Sequence, residues 1–170
     1  TCARLVTQGM DVIGTVRHPL AQPLQGVDYR IVGNLSADTD WRGALGGVDT
    51  VVHCAARVHV MRETVADPLA AFRTANVVGT VQLARQAAER GIRRFIFLSS
   101  VKVNGEGGVD AYREIGLAAP KDIYGLSKYE AELGLREIAT QAGMELVVLR
   151  PPLIYGPGVK GNFQSLMRVL

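Results

Sequence analysis

A tyrosine and a lysine four residues apart, Tyr124 and Lys128 in the segment YGLSK, have the types and spacing for proton transfer. On a helix, residues four apart lie on the same face. The ordinary pKa of a phenol is about 10, and a neighbouring ammonium favours the phenolate. The pattern therefore predicts that Lys128 lowers the pKa of Tyr124, so that the hydroxyl exchanges a proton near neutral pH.

A pair of serines, Ser99 and Ser100, follows an apolar segment that reads as a buried strand. Ligands of doubly wound sheets bind at the carboxyl ends of the strands, so a serine there can hold the same substrate oxygen as Tyr124. A tyrosine–lysine pair alone is a weak indication, because both residues are common on solvated helix faces. Together with serines at a strand end, it favours catalysis over chance.

These residues must be positioned by helices and strands, which the sequence predicts in alternation. Short apolar runs, typical of a parallel sheet, predict strands at 11–17, 28–32, 48–53, 94–98 and 145–149. One helix is predicted from Asp67 to Arg90, because aspartate caps helices and proline suits the first helical position. A second is predicted from Tyr124 to Gln141, with Gly143 after it. The predicted fold class is α/β, a doubly wound, Rossmann-like parallel sheet.

Composition excludes several classes of partner. The 170 residues carry a net charge of +3 and are only 6% aromatic, so no base-stacking surface and no nucleic acid are expected. No apolar run approaches the ~18 residues of a membrane-spanning helix, so no membrane partner is expected. Cys2 and Cys54 are far apart and belong to no ligand cluster. A cytoplasmic protein without disulfides or a metal site is therefore predicted.

Both ends of the sequence read as incomplete. Residues 1–9 resemble the second half of a helix, which implies a preceding strand, and 163–170 resemble a helix that has only begun. The alternative is a compact domain with short termini. We expect 1–158 to be an incomplete dinucleotide-binding domain without its first strand, and 159–170 to begin a substrate-binding region. We expect the 170-residue piece alone to be inactive.

These motifs resemble those of the extended short-chain dehydrogenases/reductases, or NAD-dependent epimerases/dehydratases, especially UDP-glucose 4-epimerase-like enzymes and UDP-4-keto-sugar reductases. The segment FIFLSSVKVNG resembles the family's strand that ends in the catalytic serine, and the match assigns that role to Ser100. Tyr124 and Lys128 match the family's catalytic pair. Asn76, in ANVVGT, matches a helix asparagine that supports the active site.

The resemblance implies NAD or NADP as cofactor, although the family's glycine-rich GxxGxxG loop is absent. Arg17 stands where NAD-preferring members carry an acidic residue. It either accommodates a 2′-phosphate or is an ordinary solvated arginine. The implied cofactor-binding residues are Arg17, Asn34, Leu35, Cys54, Ala55, Ala56, Asn76, Tyr124, Lys128, Pro151 and Pro152.

The implied substrate is a UDP-linked sugar that exchanges a hydride with the nicotinamide, in polysaccharide biosynthesis. Ser100, Lys102 and Asn162 are the implied substrate-binding residues, although Asn162 is equally well explained as a helix cap. Leu153 replaces an asparagine of many epimerases, which favours a 4-keto-sugar reductase. The alternatives are a reductase of a non-nucleotide carbonyl compound and a non-catalytic NAD(P)-sensing module.

Assembly is predicted from the surplus of apolar residues on the two helices. Both carry apolar side chains over more than one stripe, whereas a helix with one buried stripe is polar elsewhere. Two such helices from each of two subunits form a four-helix interface with two-fold symmetry. A homodimer is therefore predicted. The alternative is that other segments of the same chain cover this surface.

Overall fold

The computed structural model describes residues 1–58, 66–107, 112–113, 116–154 and 156. Residues 159–170, and with them Asn162, lie outside this range. The helices and strands of the described chain do not alternate throughout: helices separate the last three strands, but the first three strands follow one another without a helix between them. The elements are α1 (Cys2–Thr7), β1 (Val12–Val16), β2 (Val27–Ile31), β3 (Thr50–His53), α2 (Pro68–Phe72), a π-helical segment (Arg73–Val78), α3 (Gly79–Glu89), β4 (Arg94–Leu98), a 3₁₀ turn (Val101–Asn104), α4 (Ile123–Ala142) and β5 (Glu145–Leu149).

The strands pair in parallel, as the sequence predicts. β1 pairs with β2, and the order in the second group is β3-β4-β5. Each predicted strand is found within two residues of its expected bounds, and the α/β fold class is confirmed. Within the described residues the strands form two hydrogen-bonded groups rather than one continuous ladder. Both groups contribute to one core, because Val32 and Leu35 after β2 pack against the cluster around Phe95 and Phe97.

This core lies between the strands and the helices α3 and α4. Phe95 and Phe97 of β4 are completely buried, and each contributes on the order of 2–3 kcal/mol through burial. Trp41 and His53 also lie in the interior, with exposures of 3% and 4%. The helices add Leu83, Ala84, Ala87, Ala131 and Leu135.

The first predicted helix begins as expected but does not continue as a regular α-helix. The Asp67 carboxylate accepts a hydrogen bond from the Ala70 N–H at 3.0 Å, which confirms the predicted N-cap. The expectation of an uninterrupted α-helix was wrong, because residues 73–78 wind as a π-helix between α2 and α3. Phe72, Asn76 and Thr80 are spaced four apart and all three are buried, as expected for residues on one face of a helix. π-helical turns are rare and occur frequently at functional sites.

The second predicted helix, α4, is confirmed with two clear ends. Its N-cap is Asp122, whose carboxylate accepts the Gly125 N–H at 2.6 Å. It ends at Gly143, whose φ of 65° suits a residue without a side chain. None of the helices in the described ranges has the length and apolar character of a membrane span.

Candidate active site

Many of the residues predicted to bind ligands lie just beyond the carboxyl ends of parallel strands, whereas Asn76, Tyr124 and Lys128 lie on helices. The Ser99 N–H donates to the Leu149 carbonyl at 2.7 Å, and the Val101 N–H donates to the Pro151 carbonyl at 3.1 Å. These bonds bring the segment after β4 against the segment after β5. The strand-end positions are Arg17 after β1, Asn34 and Leu35 after β2, Cys54 to Ala56 after β3, Ser100 after β4, and Pro151 and Pro152 after β5.

The two serines after β4 have different environments. The Ser99 hydroxyl is buried and donates to the Glu132 carboxylate at 2.5 Å. Ser100 is half-buried, and its oxygen accepts the Lys102 N–H at 3.3 Å, which caps the 3₁₀ turn. Its own hydroxyl proton can still be donated. Ser100 is thus the serine available to a ligand.

The 3₁₀ turn after Ser100 packs directly on the start of α4. A Cβ at Gly125 would lie only 2.8 Å from the Lys102 carbonyl oxygen, so this contact requires glycine. The Lys102 ammonium forms ion pairs with Asp122, the N-cap of α4, and with Glu106 at 3.4 Å. Asp122 raises the pKa of Lys102. The turn that carries Ser100 is therefore fastened to the helix that carries Tyr124.

Tyr124 and Lys128 lie one turn apart on α4, with different degrees of burial. Lys128 is 1% exposed, and its Nζ lies 4.2 Å from the centre of the Phe97 ring, a favourable cation–π distance. Tyr124 is half-buried. Its ring meets Phe72 edge-on, with 6.4 Å between centroids.

The pKa of Tyr124 is displaced in the direction opposite to the sequence prediction. Burial raises it, and the Asp122 carboxylate raises it further, while Lys102 lowers it. The physical reason is that desolvation disfavours a phenolate, and the Lys128 ammonium lies over Phe97. Burial lowers the pKa of Lys128 to about 8, against the opposing effects of Cys54 and Glu132. Near pH 7 the site thus holds a protonated phenol and a charged lysine.

His53 lies beneath this pair and stays neutral. Its ring stacks on Phe97 with 5.9 Å between centroids, and Nε2 lies 2.9 Å from the Thr80 hydroxyl. Burial, together with the charge on Lys128, lowers the pKa of His53 to about 3. His53 therefore supports the site without competing for its protons.

Asn76, in the π-helical segment, joins the chain after β3 to α4. Its Oδ1 accepts the Arg57 N–H at 2.7 Å, and its Nδ2 donates to the Arg57 carbonyl and to the Ser127 hydroxyl, both at 3.0 Å. The Ser127 hydroxyl in turn donates to the Tyr124 carbonyl at 2.8 Å. These contacts use the polar groups of the Asn76 amide, so Asn76 acts by holding the backbone that surrounds the site.

Substitution Asn76→Ala is expected to destabilise the fold by about 2–4 kcal/mol, because the part-buried Arg57 backbone groups and the buried Ser127 hydroxyl lose their side-chain partner. Urea unfolding followed by circular dichroism measures the change. Thr74→Ala, in the same π-helical segment, is the matched control. It removes an exposed hydroxyl bonded to the Ala70 carbonyl and is expected to change stability by less than about 0.5 kcal/mol. Equal effects of the two variants would contradict the role of Asn76.

Several of the residues predicted to bind the cofactor are exposed at the strand ends. Cys54 and Ala55 are exposed and small, and Cys54 lies close enough to Lys128 to affect its pKa. Pro152 and Leu153 are exposed after β5, and Arg17 and Asn34 are exposed beyond the other sheet. The Leu35 side chain packs on the core instead, so only the backbone of Leu35 is left to contact a ligand.

Three contributors to this site escaped the sequence analysis: Glu132, Ser127 and Asp122. Asp122 was detectable, because an aspartate just before a predicted helix is an N-cap signal. Ser127 lies between the two candidate catalytic residues but carries no signal of its own. Glu132 follows Lys128 by one turn, a spacing that indicates an ordinary helical ion pair.

Comparison with known proteins gives consistent matches. Residues 1–169 match the family model described as "NAD dependent epimerase/dehydratase family". The chain is 50% identical over 141 residues to a UDP-glucose 4-epimerase of Vibrio cholerae, covering 82% of this chain and 43% of that protein. It is 35% identical over 129 residues to the N-acetyl-alpha-D-glucosaminyl-diphospho-ditrans,octacis-undecaprenol 4-epimerase of Escherichia coli O157:H7, covering 74% and 37%.

A solved structure shares the fold. MoeE5 in complex with UDP-glucuronic acid and NAD matches with a TM-score of 0.81 and 28% identity, over 99% of this chain and 56% of that one. The chain thus spans about half the length of the proteins that it matches.

Proposed function

Because this chain belongs to the NAD-dependent epimerase/dehydratase family, we propose that the protein is a nucleotide-sugar oxidoreductase or epimerase acting at C4 of a UDP-linked sugar. The observation that carries the proposal is the arrangement of Ser100, Tyr124 and Lys128, in which the turn after Ser100 is fastened to the start of α4. The 50% identity to a UDP-glucose 4-epimerase supports the substrate class.

Each of the three residues has a role that follows from its environment. The half-buried, protonated Tyr124 donates its proton to the sugar oxygen when a 4-keto group is reduced, and takes a proton back in the reverse direction. The Ser100 hydroxyl binds the same oxygen. The Lys128 ammonium stabilises the phenolate that forms and binds the cofactor ribose. When bound, oxidised NAD would accept the hydride from C4 as the sugar is oxidised, and the reduced cofactor would donate the hydride to C4 as the 4-keto group is reduced.

Two variants of this activity differ in their net chemistry. An epimerase transfers the hydride to the substrate again on the opposite face, so the cofactor shows no net change. A 4-keto-sugar reductase consumes one reduced cofactor per turnover. Leu153, exposed after β5, supports the reductase, whereas the Vibrio cholerae relative supports the epimerase.

The test incubates the full-length protein with UDP-glucose and NAD, and separately with a UDP-4-keto sugar and NADH or NADPH. Chromatography detects the C4 epimer, and nicotinamide absorbance detects net oxidation. We expect one of these two products. Turnover of a non-nucleotide carbonyl compound alone would reassign the substrate. Cofactor binding without turnover of any of these compounds would indicate a sensing module.

We further propose that residues 1–158 form most of the dinucleotide-binding domain and that 159–170 begin the substrate-binding region. The exposed strand ends after β1, β2, β3 and β5 support the first assignment. We place the protein in the cytoplasm, because Cys2 and Cys54 are both free thiols and reduced cysteines are typical of that compartment.

We also propose a homodimer formed through α3 and α4. Leu83, Ala84 and Leu135 of these helices are buried in the core. Leu133 of α4, in contrast, is 49% exposed. The two helices border a groove of about 570 Å³ lined by Val81, Arg85, Gly134, Ile138 and Gln141, among others. The groove also contains Glu89 and Glu137, so its lining is partly apolar and partly charged, and two adjacent helices of this kind can form a two-fold helical interface.

Substitution Leu133→Lys is expected to weaken dimerisation at least roughly tenfold, because an unpaired buried ammonium costs more than about 1.4 kcal/mol. Sedimentation of the full-length protein at micromolar concentration measures the effect. Leu24→Lys changes a leucine of nearly equal exposure, 48%, outside both helices and should leave the dimer intact. A monomeric wild-type protein would reject the interface.

A further inference from the structure

Glu132 is a carboxylate on α4 that is 1% exposed and fully engaged within the protein. Its Oε1 accepts the Ser99 hydroxyl at 2.5 Å and the Arg150 Nε–H at 2.9 Å. Its Oε2 accepts the Arg150 Nη2–H at 2.5 Å. Arg150 thus binds the carboxylate through two parallel hydrogen bonds, the strongest geometry for this pair.

These contacts join three elements immediately beside the candidate catalytic residues. Ser99 precedes Ser100 at the end of β4, and Arg150 precedes Pro151 at the end of β5. Lys128 lies one helical turn before Glu132. A displacement of Glu132 would therefore be transmitted to the ends of both strands and to the lysine.

Glu132 also acts electrostatically on Lys128. The groups that face the Lys128 ammonium are Cys54 and the neutral His53 from β3 and its end, the Phe97 ring from β4, and Glu132 on α4. Burial lowers the pKa of Lys128, and Glu132 opposes that effect. The carboxylate therefore favours the charged form of a lysine that has little access to water.

We propose that Glu132, with Arg150 as its counter-ion, is a positioning residue that fixes Ser100 through Ser99 and holds the turn of α4 that follows Lys128 against the ends of β4 and β5. The proposal rests on the function proposed above. A buried ion pair adds little net stability, since well-packed apolar residues often replace it without loss. Its contacts beside two candidate catalytic residues, Ser100 and Lys128, are better explained by positioning than by stability.

The test compares three variants of the full-length protein. Glu132→Gln removes the charge, and Ser99→Ala removes only the hydroxyl contact. Glu145→Gln is the matched control, because it breaks an exposed arginine–carboxylate pair with Arg94 at 2.8 Å between the other ends of β4 and β5. Circular dichroism and thermal unfolding establish that each variant folds. If Glu132→Gln does not fold, the kcat of Ser99→Ala tests whether the bond between Ser99 and Glu132 positions Ser100.

We expect Glu132→Gln to lower kcat for the UDP-sugar by roughly tenfold to a hundredfold, as small misplacements of catalytic groups do, with little change in KM. Its rate should also begin to fall at a lower pH on the alkaline side, because Lys128 loses the carboxylate that favours its charge. Ser99→Ala should lower kcat without shifting the pH at which the rate begins to fall on the alkaline side. Glu145→Gln should match the wild type.

A kcat equal to that of Glu145→Gln in both Glu132→Gln and Ser99→Ala would overturn the proposal while leaving the function intact. A wild-type protein inactive on every UDP-sugar would instead overturn the function. NADH binding, followed by nicotinamide fluorescence across pH, then decides the role of Glu132. The alkaline loss of binding should occur at lower pH in Glu132→Gln, and superimposable curves would exclude the effect on Lys128.

Discussion

Tyr124→Phe is expected to lower kcat of the full-length protein by roughly 10²- to 10⁴-fold, the usual contribution of a positioned general acid or base. The substitution removes only the phenolic oxygen. The edge-on contact between this ring and Phe72 remains, so the fold and the start of α4 should be unaffected. Steady-state kinetics with the UDP-sugar identified for the wild type measures the loss.

Measuring cofactor binding distinguishes a variant that has lost only proton transfer from one whose binding site is disrupted. NADH affinity of Tyr124→Phe should equal that of the wild type, because the proton donor alone is missing. Tyr29→Phe is the control, since it removes a phenol from β2, in the other group of strands. Wild-type turnover by Tyr124→Phe would refute the assignment of Ser100, Tyr124 and Lys128 as the catalytic group.

Lys128→Met is expected to abolish most activity and to weaken NADH binding, and at the same time to stabilise the fold. The lysine is assigned both to the phenolate and to the cofactor ribose, so kcat and cofactor affinity should fall together. Its pKa of about 8, against an ordinary value near 10.5, corresponds to roughly 3 kcal/mol lost by keeping the buried group charged at pH 7. Methionine removes that penalty.

The stabilisation expected for Lys128→Met should decrease as pH rises. Between pH 8 and 10.5 the unfolded chain binds a proton at Lys128 that the folded chain has released, so wild-type stability rises with pH in this window. The advantage of Lys128→Met should therefore be largest at pH 7 and shrink towards pH 10.5. Denaturant unfolding at both pH values measures it. A less stable variant at pH 7 would show that the contact with Phe97 outweighs the desolvation.

Wild-type activity should follow the same ionisation. Lys128 performs both of its proposed roles as an ammonium, so the rate should decline as pH rises through about 8.

Local patterns in the sequence were sufficient to predict the elements that carry the site. Apolar β-branched runs identified each strand within two residues, and Asp67 and Gly143 marked a helix start and a helix end. Such signals are short-range, because strand burial, capping and φ preference each depend on a few neighbouring residues. The spacing of Tyr124 and Lys128 likewise placed them on one helix face before any contact was known.

The properties that depend on residues distant in the sequence could be read only from the folded protein. The π-helical turn at Asn76 accompanies hydrogen bonds to Arg57 and Ser127, the latter 51 residues away. The raised pKa of Tyr124 follows from desolvation and from Asp122, neither of which a tyrosine–lysine spacing encodes. Glu132 meets Ser99 and Arg150 because β4, α4 and β5 pack together. The amino-acid pattern identified the residues that could do the chemistry. Their solvation, charge and position follow from packing, because these properties depend on groups that only folding brings together.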